Sequence, residues 1–481
     1  MKNIFNRIEF WIVILFLVRL IGITNPPLEI GHNWRQATGL MVARNYLEEN
    51  SNILYPRIDD NNGETGIIGM EFPSMNYAHF LLSKAFGYTH WYGRLINLIV
   101  SSFGLFFFYK IIIWAGFKKS HAFISTIILA VSIWFAFSRK FMPDTYSISI
   151  MFIGLYYGLR YLEGKKWYQL LLYILISSFA VLSKIPAGIY FVVLIPFLLS
   201  PKYEIRQRFI LSLITIIPVL LTCFWYFKWN YQLSNEFGTW YNSGVPLKAG
   251  FYDVLQNIGK VLDNFYFDAF SGYIIFSFFL FGIVLMFVMR NSKVIWAFVL
   301  VFTIFVIYIF KSGAYFYDQN YYIIPFVPVM AFVAGFTLSF IQRKWILISI
   351  LLLGIGESIV NQQHDFFIKE SEKYKMTLET IMDKVSSKND LIVINGNGNP
   401  QTIYLSHRKG WNCSDEQLSD MIFINEITEK GCRFIVVNKH LTADINNLKE
   451  IFGTIFEDEH FVVFESNLIS QHSEMFATSG I

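Results

Sequence analysis

The sequence contains few charged residues and few cysteines for its length. Only 15% of its 481 residues are Asp, Glu, Lys or Arg, whereas soluble domains carry about 25%, so an ordinary soluble protein is excluded. The three cysteines, Cys223, Cys413 and Cys432, exclude a disulfide framework and show no spacing typical of a metal site. Cys413 and Cys432 would be able to pair in an oxidising compartment, and the sequence leaves that pairing open.

A cleavable signal sequence and an internal repeat are also missing. The N-terminal segment MKNIFNRIEF runs into an apolar stretch without a small-residue cleavage site, which predicts a retained first helix. Hydrophobic residues make up 54% of the chain and aromatic residues 19%, a composition suited to lipid-facing surfaces and interfacial belts. The sequence therefore predicts a polytopic helical membrane protein, mainly α in class.

The apolar runs predict a bundle of about eleven membrane spans. A span needs about 20 mostly apolar residues, and several of these runs are shorter. They lie at residues 8–23, 95–115, 121–137, 145–162, 168–182, 187–199, 209–227, 273–289, 294–310, 322–341 and 345–359. The polar break at residues 183–186 leaves a re-entrant segment open as an alternative.

Basic residues mark every second connection between the predicted spans. They are Lys118-Lys119, Lys165-Lys166, Lys202 with Arg206 and Arg208, Arg290 with Lys293, and Arg343-Lys344. The positive-inside rule places these connections in the cytoplasm, together with the N-terminus. The first loop, residues 25–93, and everything after residue 360 then lie outside the cytoplasm, in a multi-pass protein of the plasma (inner) membrane.

The composition changes after the predicted membrane domain, residues 1–360. Three short β-branched runs, LIVING, RFIVVN and HFVVFES, alternate with the amphipathic patterns SEKYKMTLETIMDKV and TADINNLKEIFG. This alternation predicts a small extracytoplasmic α/β domain at residues 361–481. The segment GNGNP at residues 396–400 lacks both the G-x-G-x-x-G pattern and a P-loop lysine, so it predicts a tight turn and no nucleotide cofactor.

The first loop carries most of the polar residues of the membrane domain, and it is too long for a simple connection. Segments near residues 40–47 and 72–82 have helical spacing and predict helices on the outer membrane surface. The polar residues around them are His32, Arg35, Gln36, Arg57, Asp59, Asp60, Glu64 and Glu71. They fit either ordinary surface charges of a solvated loop or groups gathered around a polar substrate, and the second interpretation is favoured.

Three later residues are predicted to lie on the same side of the membrane. Asp144 follows Pro143 and either caps its helix or contributes a carboxylate to a site. Lys184 separates two apolar runs, where a charge is costly, so it either snorkels or binds a lipid phosphate. Tyr322 ends a tyrosine-rich segment that forms either an interfacial belt or part of a pocket for a polyprenyl phosphate or a sugar.

This layout and five short motifs resemble the GT-C glycosyltransferases, in the branch of the protein O-mannosyltransferases and the lipid A aminoarabinose transferases. The motifs are Arg35-Gln36-Ala37 followed by residues 43–47, Glu71-Phe72-Pro73, Pro143-Asp144, residues 183–186 and residues 322–325. The resemblance covers the chain through about residue 341. It implies an enzyme of the cell envelope that transfers a sugar from a polyprenyl-phosphate donor to an acceptor on the outer face.

The chain departs from that family at one point, because the family's acidic pair falls on Arg35-Gln36 and its basic residue falls on Glu71. Inverting transfer needs a base for the acceptor's proton and cations for the leaving phosphate. The resemblance leads to the hypothesis that Glu71 or Asp59 is the base and that Asp144 orients the base or the acceptor. The predicted substrate-binding residues are His32, Arg35, Gln36, Arg57, Lys184 and Tyr322. Of these, Arg35, Arg57 and Lys184 would hold the lipid phosphate.

Two other classes of protein remain open beside the glycosyltransferase. A transporter or flippase of lipid-linked sugars would carry charges near the bilayer midplane and paired repeats, whereas these polar residues gather at the outer edge. A non-catalytic envelope assembly protein would fit the missing acidic pair. The expected partners are a polyprenyl-phosphate sugar, membrane lipid and a glycan, lipid or protein acceptor, without nucleic acid. No ligand spacing demands a metal, and a divalent cation stays an open possibility.

Overall fold

The structure, a computed structural model, describes residues 4–239, 244–441 and 445–468. The helices of the first half are α1 Ile8–Arg19, α2 Asn33–Glu48, α3 Ser74–Phe86, α4 Tyr92–Trp114, α5 Lys119–Val131, α6 Trp134–Phe137, α7 Pro143–Gly164, α8 Trp167–Ser183, α9 Ile195–Leu199, α10 Ile205–Cys223 and α11 Asn230–Phe237. Those of the second half are α12 Leu247–Gln256, α13 Ile258–Asp263, α14 Ile274–Val288, α15 Ser292–Ser312, α16 Ala314–Asp318, α17 Val327–Leu338, α18 Lys344–Gln362, α19 Leu378–Val385, α20 Gln401–Ser406, α21 Asp415–Leu418, α22 Met421–Glu429 and α23 Asn446–Ile451. The strands are β1 Leu391–Ile394, β2 Lys409–Asn412, β3 Cys432–Asn438, β4 Phe452–Glu457 and β5 Phe461–Leu468.

All eleven predicted spans coincide with helical segments, which confirms the predicted fold class. Among the described residues, four helices are long and apolar enough to cross a membrane: Tyr92–Trp114, Ile205–Phe237, Ser292–Ser312 and Lys344–Phe366. Several predicted spans are not single α-helices. Residues 185–194 form a 3-10 helix with Pro186 in its first turn, and the span predicted at 322–341 becomes α-helical only at Val327, with Pro328 in the first turn of α17. The span predicted at 121–137 is also divided, between α5 and α6. Proline lacks a backbone N–H, so both prolines favour a helix start over a helix interior.

Small residues let the central helices pack closely. Helix α7 packs against α4 and α8, and α5 packs against α17. An added Cβ at Gly104 would lie 2.3 Å from the Cβ of Ser149, and one at Gly335 would lie 2.1 Å from the Oγ of Ser125. Membrane helices associate largely through such close van der Waals contacts, because lipid supplies no hydrophobic drive between them.

Contacts between neighbouring helix ends bring together four of the five connections predicted to be cytoplasmic. Trp114 donates a hydrogen bond of 2.9 Å from Nε1 to Glu163 Oε2, which joins the ends of α4 and α7. Lys165 pairs with Glu204 at the start of α10, and Lys293 donates to the turn after α4 at 3.0 Å. Four of the five basic connections therefore share one end, as the predicted alternation requires.

The chain after α18 forms a C-terminal unit, residues 370–468, built on a five-stranded mixed sheet. The strand order is β2-β1-β3-β5-β4, with β1 parallel to β2 and β3 and with β5 antiparallel to β3 and β4. The three predicted strand runs become β1, β3 and β5. The two predicted helical patterns contain α19 and α23, and residues 442–444 of the second lie outside the described residues. Cys413 and Cys432 are buried free thiols.

The first loop is docked onto this sheet. The backbone N–H of Gly410 in β2 donates to the carbonyl of Asp59 at 3.0 Å, and the N–H groups of Asn61 and Asn62 donate to the carbonyl of Gly410. Helix α2 packs between α3 and α20, so most of its second half is buried. Both predicted loop helices are present as α2 and α3, but α2 lies between two protein layers because the C-terminal unit covers it.

Candidate active site

Four charged side chains from four separate elements meet at the end of the bundle opposite the basic connections. Arg35 of α2 donates to Oε1 of Glu71, which precedes α3. Lys184, directly after α8, donates to the same Glu71 oxygen at 2.9 Å and lies 3.5 Å from Oδ1 of Asp144 at the start of α7. The arrangement alternates cation, anion, cation, anion, so each charge has an opposite neighbour.

Backbone contacts hold the segment of Glu71 in place. The N–H of Phe72 donates to the carbonyl of Leu182 at 3.1 Å, and the hydroxyls of Ser74 and Ser183 lie 2.7 Å apart. On the other side, the carbonyl of Met70 accepts hydrogen bonds from Trp225 Nε1 and Asn230 Nδ2 in and after the π-helical turn Phe224–Trp229. The site segment is therefore fixed to the end of α8 and to the start of α11.

Asp144 faces the cluster instead of capping its helix. The N-cap position of α7 is Met142, and the side-chain Oδ1 of Asp144 is directed at Lys184. Its second oxygen, Oδ2, is buried and has no hydrogen-bond partner among the described residues. A buried carboxylate oxygen without a partner is costly, so this oxygen is positioned for a proton donor such as a hydroxyl group.

The electrostatic setting keeps Glu71 ionised. Burial by itself would raise the pKa of Glu71, but the positive charges of Arg35 and Lys184 outweigh burial and hold this pKa well below its usual range. The side chains of Glu71 and Lys184 are 18% and 14% exposed, whereas that of Arg35 is 37% exposed. The cluster is thus reached from the side of Arg35.

Aromatic rings border the cluster. The ammonium of Lys184 lies 5.8 Å from the ring centroid of Tyr321, within the range of a cation–π contact. Tyr321 contacts Tyr322 at 4.9 Å between ring centroids, and Tyr322 stacks on Tyr308 at 5.9 Å. Tyr322 was a predicted site residue and Tyr321 belongs to the same predicted tyrosine-rich segment, whereas Tyr308 was not predicted. A tyrosine within the apolar run 294–310 was the available signal for Tyr308.

His32 stands at the edge of this aromatic group. Its Nε2 lies 2.9 Å from Oδ1 of Asn320, and its ring is 4.9 Å from that of Tyr321. Burial, together with the positive charge of Lys140, lowers the pKa of His32 to about 4. His32 is therefore neutral at pH 7 and contributes hydrogen bonding and packing to the site.

A narrow pocket of about 40 Å³ opens beside the charged cluster. It is lined by Arg35, Thr38, Gly39, Met70, Glu71, Phe72, Ser74, Met75, Asn76, Phe141, Pro143 and Ser183. This volume holds a few water molecules, so a phosphate or a sugar ring requires the side chains around it to move. Half-exposed Arg35 is the lining residue best placed to do so.

Three predicted site residues lie outside the cluster. Gln36 is fully buried and accepts hydrogen bonds from Arg94 Nε and from the N–H of Phe141, which gives it a structural role. Arg57 lies 3.6 Å from Glu49 at the end of α2.

Asp59 belongs to a second ion pair instead. Its carboxylate accepts hydrogen bonds from Arg44 and from Asn45 Nδ2, at 2.5 and 2.9 Å, and is almost completely buried. Arg44 also donates to the carbonyl of Tyr404 in α20 and lies 4.5 Å from that ring. Asp59 thus joins the first loop to the C-terminal unit.

No metal-binding arrangement is evident in the parts of the chain that the structure describes. Within residues 4–239, 244–441 and 445–468, no group of three or more His, Cys, Asp or Glu side chains is placed to hold a metal ion. The two site carboxylates are directed at Lys184 and Arg35.

The fold and part of the sequence match known membrane glycosyltransferases. Residues 72–227 match the family model of dolichyl-phosphate-mannose-protein mannosyltransferases, and the comparison with curated proteins finds no match. The structure is similar to ArnT from Cupriavidus metallidurans bound to undecaprenyl phosphate, at 13% identity and a TM-score of 0.63, over 95% of this chain and 98% of that one. It is also similar to the archaeal oligosaccharyltransferase AglB from Archaeoglobus fulgidus in complex with an inhibitory peptide and a dolichol-phosphate, at 12% identity and a TM-score of 0.54, over 93% and 73% of the two chains. Both relatives are GT-C glycosyltransferases, so the resemblance predicted from the sequence is confirmed, and this chain is an integral membrane protein with the GT-C fold.

Proposed function

We propose that this protein is a membrane glycosyltransferase that moves a sugar from a polyprenyl-phosphate donor to an acceptor on the extracytoplasmic face. The observation that carries the proposal is the cluster of Arg35, Glu71, Lys184 and Asp144 at one end of a GT-C bundle. Cations and carboxylates in contact, next to a pocket and an aromatic border, are the groups that this reaction needs.

Arg35 and Lys184 are the proposed phosphate-binding residues. One similar structure contains undecaprenyl phosphate and another contains a dolichol-phosphate, which favours a lipid of the same class here. Guanidinium and ammonium groups stabilise the charge that builds on a leaving phosphate. By the resemblance, the family's acidic pair falls on Arg35-Gln36 and its basic residue falls on Glu71. In this chain Arg35 and Glu71 contact each other, so this part of the proposed site holds a cation at the position of an acid and an anion at the position of a base.

Asp144 is the proposed base. An acceptor hydroxyl would donate its proton to the unpartnered Oδ2 while its oxygen forms a bond with the anomeric carbon. The bond between that carbon and the phosphate oxygen breaks, and its electron pair stays on the lipid phosphate. Attack and departure on opposite faces of the sugar carbon would invert its configuration.

Glu71 is proposed to organise the two cations. Its Oε1 already accepts from both Arg35 and Lys184, so it is a weaker proton acceptor than Asp144. Asp59 and Arg57 are assigned to the contact with the C-terminal unit and to the end of α2 because of their partners. The proposed membrane topology, with the N-terminus in the cytoplasm of the plasma (inner) membrane, follows from the grouped basic connections.

A transfer assay in membranes tests the function. Radiolabelled sugars on undecaprenyl phosphate are supplied to membranes with the wild-type chain, and label in envelope lipid, glycan and protein is measured. Asp144→Asn and Lys184→Met should abolish the labelled product, whereas Lys165→Met, which removes a cation at the opposite end of the bundle, should retain it. Movement of donor across vesicle membranes without a covalent product would contradict the proposal and support a flippase.

A further inference from the structure

The start of α2 is held by a residue that lies more than 300 positions later in the chain. Asp365 belongs to the turn Gln363–Phe366 that follows α18, here called the linker turn. Its carboxylate pairs with Lys140, and Lys140 also donates to the carbonyl of Gly31 at 2.8 Å. Gly31 has a φ of 84°, and a Cβ at this position would lie 2.6 Å from Asp365 Oδ1. The bend that begins α2 is thus built around the Lys140–Asp365 pair.

The linker turn itself is fixed on its other side. Arg139 donates to the carbonyl of Asp365 at 3.0 Å, and its guanidinium lies 4.1 Å from the centroid of the Phe366 ring. Asn25 donates to the carbonyl of Phe366 at 3.2 Å. The side chains of Arg139 and Lys140 are fully buried, so they have little freedom to release Asp365.

Helix α2 is held again at its other end, by the C-terminal unit. His407 contacts Glu48 at 2.9 Å, and Lys409 pairs with Glu49. Residues after the last membrane helix therefore act at both ends of α2, at the start through Lys140 and at the end directly. Arg35 lies between these two places, one turn after Gly31.

We propose that Asp365 is a positioning residue, which acts through Lys140 to fix the bend before α2 and thereby places Arg35 against Glu71. Removing one partner of a buried ion pair leaves the other charge uncompensated, so neutralising Asp365 frees Lys140 and loosens the Gly31 carbonyl. A small displacement of a positioning element has large effects on a site that needs close geometry. The role of Arg35 in binding the phosphate rests on the proposed function.

Coupling between Asp365 and Arg35 is the first test. Binding of undecaprenyl phosphate is measured on purified full-length protein in detergent for the wild type, Asp365→Asn, Arg35→Gln and the double variant. We expect Asp365→Asn to weaken binding, and Arg35→Gln to cause at least about threefold less loss in the Asp365→Asn background than in the wild type. Additive losses would overturn the proposal. Glu426→Gln, which removes an exposed carboxylate paired with exposed Lys430 within the C-terminal unit, is the matched control and should bind as the wild type does.

Hydrogen exchange without ligand is the second test and does not depend on the proposed function. Asp365→Asn should accelerate exchange of the backbone amides of residues 35–39, while α3 keeps its wild-type rates. Asp365→Glu retains the charge on a longer side chain, and its exchange at residues 35–39 should lie between the wild type and Asp365→Asn. If the neutral variant does not fold, Asp365→Glu is compared with the wild type and should still exchange faster at residues 35–39. Unchanged exchange at residues 35–39 would overturn the proposal. If the wild type fails to bind undecaprenyl phosphate, that result counts against the proposed function, and exchange alone decides the role of Asp365.

Discussion

Replacing Glu71 by Gln should change ligand binding and turnover in opposite directions. Glu71 is the anion that joins Arg35 to Lys184. A neutral amide of the same shape frees both cations for a phosphate and removes a negative charge that repels it. Lys184 then has Asp144 as its remaining carboxylate neighbour in the cluster, at 3.5 Å, and a closer contact between them makes Asp144 a poorer proton acceptor. We expect tighter binding of the lipid phosphate and slower transfer.

The size of the binding effect follows from the contact geometry. Two unit charges about 4 Å apart interact by about 4 kcal/mol at an effective dielectric constant of about 20. Because Arg35 is 37% exposed, water screens most of this energy, and we take about one third of it, or about 1.3 kcal/mol, as the net effect on binding. This corresponds to about tenfold tighter binding. Turnover should fall by at least about tenfold, as expected when a general base is partly neutralised.

Two measurements on the same preparation separate these effects. Titration with undecaprenyl phosphate in detergent gives Kd, and the transfer assay at saturating donor gives turnover. Glu163→Gln is the control. Glu163 lies at the opposite end of the helix bundle, where it accepts a hydrogen bond from Trp114, so its substitution should leave both Kd and turnover unchanged. Weaker binding by Glu71→Gln would refute this reasoning, since it would mean that the carboxylate itself contacts the ligand.

Three further predictions concern single carboxylates and one histidine. Asp144→Asn should lower turnover by about 10²–10⁴-fold in the transfer assay without weakening undecaprenyl phosphate binding, and a value near wild type would exclude Asp144 as the base. Asp59→Asn leaves Arg44 buried without its anion, so the free energy of unfolding should fall by about 3 kcal/mol in detergent, and an unchanged unfolding temperature would contradict the assigned ion pair. Burial opposes the charged form of His407, but its bonds to Glu379 and Glu48 outweigh burial and raise its pKa above 6.5. Its contribution to stability is complete below pH 6.5 and disappears as the pH rises through the raised pKa, so His407→Gln should flatten the pH dependence of thermal unfolding, and an unflattened profile would argue against this salt bridge.

The membrane helices and the strands β1, β3 and β5 were predictable because each is encoded by a local pattern, whereas β2 and β4 were not predicted. Apolar runs predicted the membrane spans, and basic residues in every second connection predicted which helix ends lie on the same side. The interruptions after Lys184 and before α17 were harder to predict, although Pro186 and Pro328 lie at the helix starts that follow them. Proline removes a backbone donor at a known position, but the helix that results depends on neighbours that the sequence does not display.

The location of the candidate site was predictable from the sequence, but the residues that form it were only partly so. Glu71 and Asp59 look alike in the sequence, since both are acids in the same loop near an arginine. Their partners, Arg35 and Arg44, are nine positions apart on α2, which corresponds to about two and a half turns and places them on opposite faces. That spacing was the available signal that the two carboxylates belong to different groups.

The contacts of the C-terminal unit with α2 were not predictable from local patterns. Tyr404 and Gly410 carry no sequence feature that points to a loop about 350 residues earlier, yet they hold Arg44 and the backbone of Asp59. Such contacts depend on the relative placement of two folded parts. The same holds for Lys140 and Asp365, which are far apart in the chain and paired in the structure.

A structure of the full-length protein with bound undecaprenyl phosphate would decide whether the cluster of Arg35, Glu71, Lys184 and Asp144 is the active site. We predict that the phosphate lies between Arg35 and Lys184, with oxygens within hydrogen-bonding distance of both, and that Oδ2 of Asp144 faces the space beside it. A phosphate bound at another place, with the contacts of Glu71 to Arg35 and Lys184 unchanged, would contradict the assignment of this cluster as the active site.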